Sequence, residues 1–214
     1  MHVLTDNIGF LMGGVLITVE LTVLGFLGAL LLGTILAVCR VSPITPLRVV
    51  ASVYVEFFRN IPLLSLLVLV VFGLPDAGLT LSTFVSAWIC LALSGSAFAC
   101  EAIRGGINSV AVGQAEAARA IGLTFTQNLR FVILPQAFRV MVQPLVNTFI
   151  GVLLSSALAA VVSVNDLTGR AQFLNLESAE AVLCFLFAGA VYLVLALGSG
   201  AFGGWLERKV AIRR

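Results

Sequence analysis

Charge is what this sequence has least of. Only 10% of its 214 residues are Asp, Glu, Lys or Arg, where a water-soluble domain carries about 25%. With 60% hydrophobic residues and a mean hydropathy of +1.14, the polar side chains cannot cover a soluble particle, so the bulk solvent is a lipid bilayer. Histidine occurs once, as His2, which excludes a His-built metal centre or a Ser-His-Asp triad. No GxxxxGK[ST] phosphate loop is present, so the chain supplies no nucleotide-hydrolysing site of its own. A net charge of +2 is too small to point to nucleic acid. Cys39, Cys90, Cys100 and Cys184 lie in or beside apolar runs with no CxxC pair, and read as reduced small hydrophobes. The leader 1–7 lacks Lys and Arg, and the apolar run after it is too long for a signal peptide and ends in no small-residue cleavage site. It reads as a retained span.

A helix needs about 20 apolar residues to cross a hydrocarbon core. Stretches at 9–39, 57–73, 79–100, 140–165 and 181–206 qualify. The first is longer than one crossing, so its start lies along the interface or projects beyond it; the span proper is expected at about 15–39, and the fourth at about 140–164. The second is the weakest, with Arg59 and Pro62 near its start. The expected fold class is an all-α integral membrane protein with five transmembrane helices in one transmembrane domain over 1–214.

Basic residues are strongly asymmetric. Arg40, Arg48, Arg59, Arg104, Arg119, Arg130, Arg139, Arg208, Lys209, Arg213 and Arg214 fall on one side of the predicted spans, and only Arg170 on the other. The positive-inside rule then places the N-terminus outside and the C-terminus in the cytoplasm. Glu20 is expected at the outer interface, and Glu101 can pair with Arg104 one turn later. Small residues at Gly25, Ala29, Gly33 and Ala37, and at Ala196, Gly200 and Gly204, form stripes suited to close helix contact, more in keeping with packing inside the bundle than with a dedicated dimer seam.

The loop between the third and fourth spans carries the most information. Residues 114–121 read QAEAARAI, rich in helix formers, and Gly122 follows where a left-handed cap belongs. Thr124 and Gln127 have the spacing of a capping box that opens a second helix, which must stop before Pro135. Residues 109–135 therefore predict a helix-turn-helix hairpin. It suits a groove on a partner, or it merely links two spans.

The string GQAEAARAIGLTFTQNLRFVILPQA resembles the EAA signature of ABC importer permeases, through Glu116, Ala117, Ala118, Gly122, Leu134 and Pro135. Val132 stands where that pattern usually has isoleucine. With SGSAFACEAIRGGINSV from Ser94 and VEFFRNIPLL from Val55, most of the chain is similar to the polar amino acid subfamily. The resemblance implies a type I ABC importer permease-like fold. It also implies that Gln114, Glu116, Ala117, Ala118, Gly122, Leu134 and Pro135 form the coupling segment. The implied partners are a cytoplasmic ABC ATPase dimer, a second permease chain (the same or homologous), an extracytoplasmic amino acid-binding protein and the lipid bilayer. The same resemblance implies that ATP and Mg²⁺ sit on the ATPase, that no cofactor is bound by this chain, and that the chain is not itself an enzyme. The expected location is the cell (inner or cytoplasmic) membrane, as a multi-pass protein.

Polar residues inside the spans bear on the substrate. Asn147, Thr148, Gly151 and Ser155 fall within an arc of about 100° on the fourth span, with Ser156 beside them. Ser94, Ala97, Phe98 and Glu101 share a face of the third, with Ser96 nearby. The substrate path is assigned to Ser94, Ser96, Phe98, Asn147, Thr148, Ser155 and Ser156, although hydrogen bonds within and between helices also account for single serines. Where family members carry a charged or acidic element, this chain reads Leu154, Ser155, Ser156. Neutral groups suit a glutamine or glutamate zwitterion better than a cationic side chain. The alternatives are a passive channel or secondary carrier with a helical hairpin, or a membrane scaffold without transport.

Overall fold

The computed structural model describes residues 2–210, without the side chain of His2. The orientation expectations for Arg213 and Arg214 lie outside the described residues. After a single helical turn, His2–Asp6, come α1 (Ile8–Val41), α2 (Thr45–Asn60), α3 (Leu63–Asp76), α4 (Thr83–Asn108), α5 (Val112–Ala120), α6 (Phe125–Val162), α7 (Leu167–Ser178) and α8 (Ala181–Val210). No strand occurs among the described residues. α1, α4, α6 and α8 are each long and apolar enough to cross a membrane, and the pair α2–α3 makes a fifth crossing if it is one broken span.

The second span differs from its prediction. Residues 57–60 form the last turn of α2, an element within the stretch read as a connection. The expected crossing at 57–73 is divided by Pro62, with α2 and α3 meeting at 101°. The cause is local: the proline ring pushes the preceding residue out of the helical region, and Ile61 adopts φ −79°, ψ 130°. The first span is one unbroken helix of 34 residues, about 51 Å at 1.5 Å per residue, so it extends beyond a core about 30 Å thick.

α1 and α4 form the most extensive interface, α6 packs on α4, and α8 packs on α6. Lipid tails are as apolar as leucine, so helices in a bilayer associate through close packing more than through apolar burial. The stripe Gly25, Ala29, Gly33 and Ala37 is buried on α1. A Cβ at Gly33 would lie 2.7 Å from the Ala99 Cβ and 2.9 Å from the Ser96 carbonyl oxygen of α4. The stripe therefore serves the bundle of this chain. On α8 the register shifts by one residue from the expected Gly204: Gly204 has open space, and Gly203 is the point where a Cβ would meet Val146.

The connection between the fourth and fifth apolar helices contains α7. Asp166 caps it, accepting the Gly169 N–H at 2.9 Å. Its other carboxyl oxygen accepts the Tyr192 hydroxyl of α8 at 3.0 Å. The Leu167 N–H donates to Thr18 Oγ1 of α1 at 3.1 Å, so one buried polar knot joins three helices. The Asp166 carboxyl is pushed above its usual range by burial, opposed by the Gly169 and Tyr192 bonds. Arg170 donates to the carbonyls of Asn165 and Phe10. All four cysteines are free, and Cys90, Cys100 and Cys184 are buried.

Candidate functional site

Two places bring the singled-out residues together. The first is a cavity of about 500 Å³ between α4 and α6, reached by Leu63 at the start of α3. α4 contributes Ser94, Phe98 and Ala102 along one face. α6 contributes Pro144, Asn147, Thr148, Gly151 and Ser155. No charged residue lines it. Pro144 has no N–H for the helix ladder, and the Thr148 hydroxyl donates to the Pro144 carbonyl at 3.0 Å, which commits the Thr148 proton and leaves its lone pairs. The side chains of Ser94, Asn147 and Ser155 make no hydrogen bond among the described residues, so their donors and acceptors remain available to a guest.

Two expected path residues lie elsewhere. Ser96 is fully buried; its hydroxyl bonds to the Leu93 carbonyl and meets the Tyr54 hydroxyl of α2 at 2.9 Å. Ser156, also fully buried, donates to the Leu153 carbonyl at 2.7 Å. Both satisfy themselves locally, as serines in helices do. The stripe along α6 runs from Asn147 to Ser155 and turns away from the cavity at the next residue.

At the hairpin end of the cavity sits a charge cluster. Glu101 Oε2 accepts from Arg104 Nε and Nη2 at 3.2 and 2.7 Å, as the i, i+3 spacing predicts. Its Oε1 accepts from Arg40 of α1 and lies 4.0 Å from Arg59 Nη1 of α2. The two additional arginines come from distant segments, and no local spacing announces them. Glu20 is exposed on α1, with no ion pair among the described residues.

The second place is the hairpin. α5 ends in a Schellman turn: the Leu123 N–H donates to the Ala118 carbonyl at 3.1 Å and the Gly122 N–H to the Arg119 carbonyl at 3.0 Å. Gly122 takes φ +88°, a conformation that costs other residues about 1–2 kcal/mol. The expected capping box is present, with the Thr124 N–H donating to Gln127 Oε1 at 2.9 Å and the Gln127 N–H to Thr124 Oγ1 at 3.4 Å.

The second arm does not stop before Pro135. A π-turn at Leu129–Ile133 leads into Leu134–Ser156, so the arm and the fourth span are one helix. Wider turns accommodate the proline, and Gln136 Nε2 donates to the Val132 carbonyl at 2.9 Å. The span itself ends earlier than 164: the α-helix closes at Ser156, a 3₁₀ segment follows over Ala157–Val162, and Ser163 is left-handed at φ 64°.

Gln114, Glu116 and Ala117 are exposed on α5, and Ala118 packs inward at 5% exposure. Leu134 and Pro135 lie further along, beside Phe138 and Val210. Sequence reading missed the apolar tip, where Ile121 and Phe125 are each 79% exposed. The two residues flank the glycine turn, and their placement there was the available signal.

Residues 29–212 match the family described as binding-protein-dependent transport system inner membrane component. The chain is 37% identical over 208 residues to the probable glutamine ABC transporter permease protein GlnM of Bacillus subtilis, covering 97% of this chain and 96% of the relative. It is 40% identical to the L-cystine transport system permease protein TcyB of Bacillus subtilis, covering 86% and 80%. A solved amino acid ABC transporter with histidines superposes with a TM-score of 0.92 at 33% identity, over 96% of each chain. A methionine ABC transporter in inward-facing conformations gives a TM-score of 0.78 at 25% identity, over 97% of this chain and 99% of the other. These likenesses displace the channel, carrier and scaffold alternatives and establish the type I importer permease fold. The chain belongs to the family of binding-protein-dependent transport system inner membrane components: it is a multi-pass permease subunit of an ABC transporter, the component of such a system that is not itself catalytic.

Proposed function

We propose that this permease carries polar amino acids by alternating access, with glutamine or glutamate favoured, and that the cavity between α4 and α6 is the path. The observation that carries this reading is the convergence of Ser94, Asn147, Thr148 and Ser155 on one uncharged space of about 500 Å³. A zwitterion left without polar partners in a dry site loses several kcal/mol, and these side chains supply neutral donors and acceptors. Support for the class comes from relatives whose names refer to glutamine and cystine; the solved relative with histidines leaves the side-chain preference to experiment. The test is substrate-stimulated ATPase activity of the reconstituted assembly across a panel of amino acids, with Asn147→Ala and Ser155→Ala. Reduced stimulation in both variants is expected. Stimulation by basic amino acids alone, or full stimulation in both variants, contradicts it.

Drive enters through the hairpin. Gln114, Glu116, Ala117, Ala118 and Gly122, with Leu134 and Pro135 behind them, dock into a cytoplasmic ABC ATPase dimer that holds ATP and Mg²⁺, and the exposed Ile121 and Phe125 supply apolar contact. Because the second arm is continuous with α6, a push on the tip reaches the cavity wall along one helix. A second permease chain, the same or homologous, completes the path, and an extracytoplasmic binding protein delivers the amino acid. The N-terminus is outside and the C-terminus inside. An impermeant thiol reagent applied to intact cells is expected to spare a cysteine placed at Gln127 and to label one placed at Ala77. The reverse pattern overturns the orientation.

A further inference from the structure

The uncharged cavity leaves one part of a zwitterion poorly served. A carboxylate is best held by a guanidinium, which offers paired N–H donors in a fixed fork. Arg59 is positioned for that role. It lies in the last turn of α2, three residues before the 101° bend and four before Leu63, which lines the cavity. Its guanidinium carbon is 5.8 Å from the ring centre of Phe98, another wall residue and 45% exposed.

Arg59 is also the loosest member of its cluster. Arg40 and Arg104 hydrogen-bond the Glu101 carboxylate, whereas Arg59 approaches no closer than 4.0 Å and makes no hydrogen bond among the described residues. One carboxylate against three guanidiniums leaves a net charge of +2 at this end of the cavity. The side chain is 40% exposed, so an incoming anion can reach it without first breaking a hydrogen bond. A helix C-terminus also favours a cation, which accounts for an arginine in this turn but not for its place beside Phe98.

We propose that Arg59 reads the α-carboxylate of the transported amino acid at the hairpin end of the cavity, with Glu101 as the tether it leaves. The inference rests on the amino acid reading of the cavity. It makes Arg59 a specificity-determining residue that separates free amino acids from their amides and from amines, while the neutral residues above it face the rest of the molecule.

The test uses the permease assembled with its ATPase in phosphatidylcholine nanodiscs, without the binding protein. Equilibrium binding of radiolabelled L-glutamine, L-glutamate, L-cystine, L-arginine and L-histidine is compared with that of each α-carboxamide. The wild-type assembly is expected to prefer a free amino acid over its amide by about tenfold or more, the worth of a charge-assisted hydrogen bond. Arg59→Gln removes that preference without weakening amide binding, and Arg59→Lys retains part of it. An unchanged preference in Arg59→Gln overturns the proposal. So does equal loss of acid and amide binding, the mark of a purely structural arginine, or wild-type binding of no free amino acid. Uptake by the complete transporter with its binding protein is measured in parallel, and only failure of wild-type uptake across the panel overturns the amino acid reading itself.

Discussion

The side-chain amide of Asn128 donates to the main-chain carbonyl of Ala115 at 2.9 Å, tying the second arm of the hairpin to the middle of the first. Asn128 is 4% exposed, although residues 124–127 before it and Arg130 and Phe131 after it are exposed. Replacing it with alanine leaves the Ala115 carbonyl without that donor, at a cost of about 1 kcal/mol. Asn128→Ala is therefore expected to speed hydrogen exchange of amides in 112–128, with the protection of α1 and α4 unchanged.

Gly122 sets the turn by backbone conformation alone. Nothing lies within 4 Å of the position a Cβ would take, so size is tolerated within this chain and φ is what selects glycine. Asparagine visits the left-handed region with less strain than other residues. Hairpin protection in hydrogen exchange is expected to fall in the order Gly122, Gly122→Asn, Gly122→Ala, Gly122→Val, with Val costing about 1–2 kcal/mol or more.

Gly33 is the opposite case. Its added Cβ meets Ala99 and the main chain of Ser96 and Cys100, the last at 3.0 Å, and main-chain atoms cannot step aside. Gly33→Val is expected to lower the thermal midpoint of the purified permease, with overpacking costing about 1–3 kcal/mol. Gly151→Ala, in open space within α6, is expected to hold or raise the midpoint, since alanine is the better helix former by about 0.5–1 kcal/mol.

Asp166 caps α7 and receives Tyr192. Asp166→Ala removes a cap worth about 1 kcal/mol and also leaves a buried tyrosine hydroxyl without its acceptor. Tyr192→Phe keeps the cap and removes the hydroxyl that donates to Asp166 and accepts from Thr168 at 3.2 Å. Thermal unfolding is expected to rank Asp166→Ala well below Tyr192→Phe.

What could be read from the sequence divides by range. The capping box, the Gly122 turn and the small-residue stripe of α1 depend on spacings of three or four residues, and all three are present. The apolar runs located α1, α4, α6 and α8. Misreadings occurred where a local rule met a competing one. Pro135 signals a helix end, but a π-turn carries the helix through it. Pro62 sits inside an apolar run, and the bend there outweighs the hydropathy.

In the cavity, periodicity grouped Asn147, Thr148 and Ser155 on one face, yet could not exclude Ser96, whose partner Tyr54 lies on α2, 42 residues away. The Arg40 and Arg59 approaches to Glu101 are likewise products of packing between helices far apart in sequence. α7 was missed because its apolar residues are few, although Asp166 three residues before Gly169 is a cap signal.

Coupling of ATP hydrolysis to transport through the hairpin is tested most directly by uptake of radiolabelled L-glutamine into proteoliposomes holding the permease, its ATPase and its binding protein, with ATP on the ATPase side. ATP-dependent accumulation by the wild type is expected. Gly122→Val, whose hairpin is strained in the left-handed turn, is expected to accumulate at less than about a tenth of that rate, with the protein still inserted. Accumulation by Gly122→Val at the wild-type rate, or wild-type accumulation without ATP, contradicts this coupling.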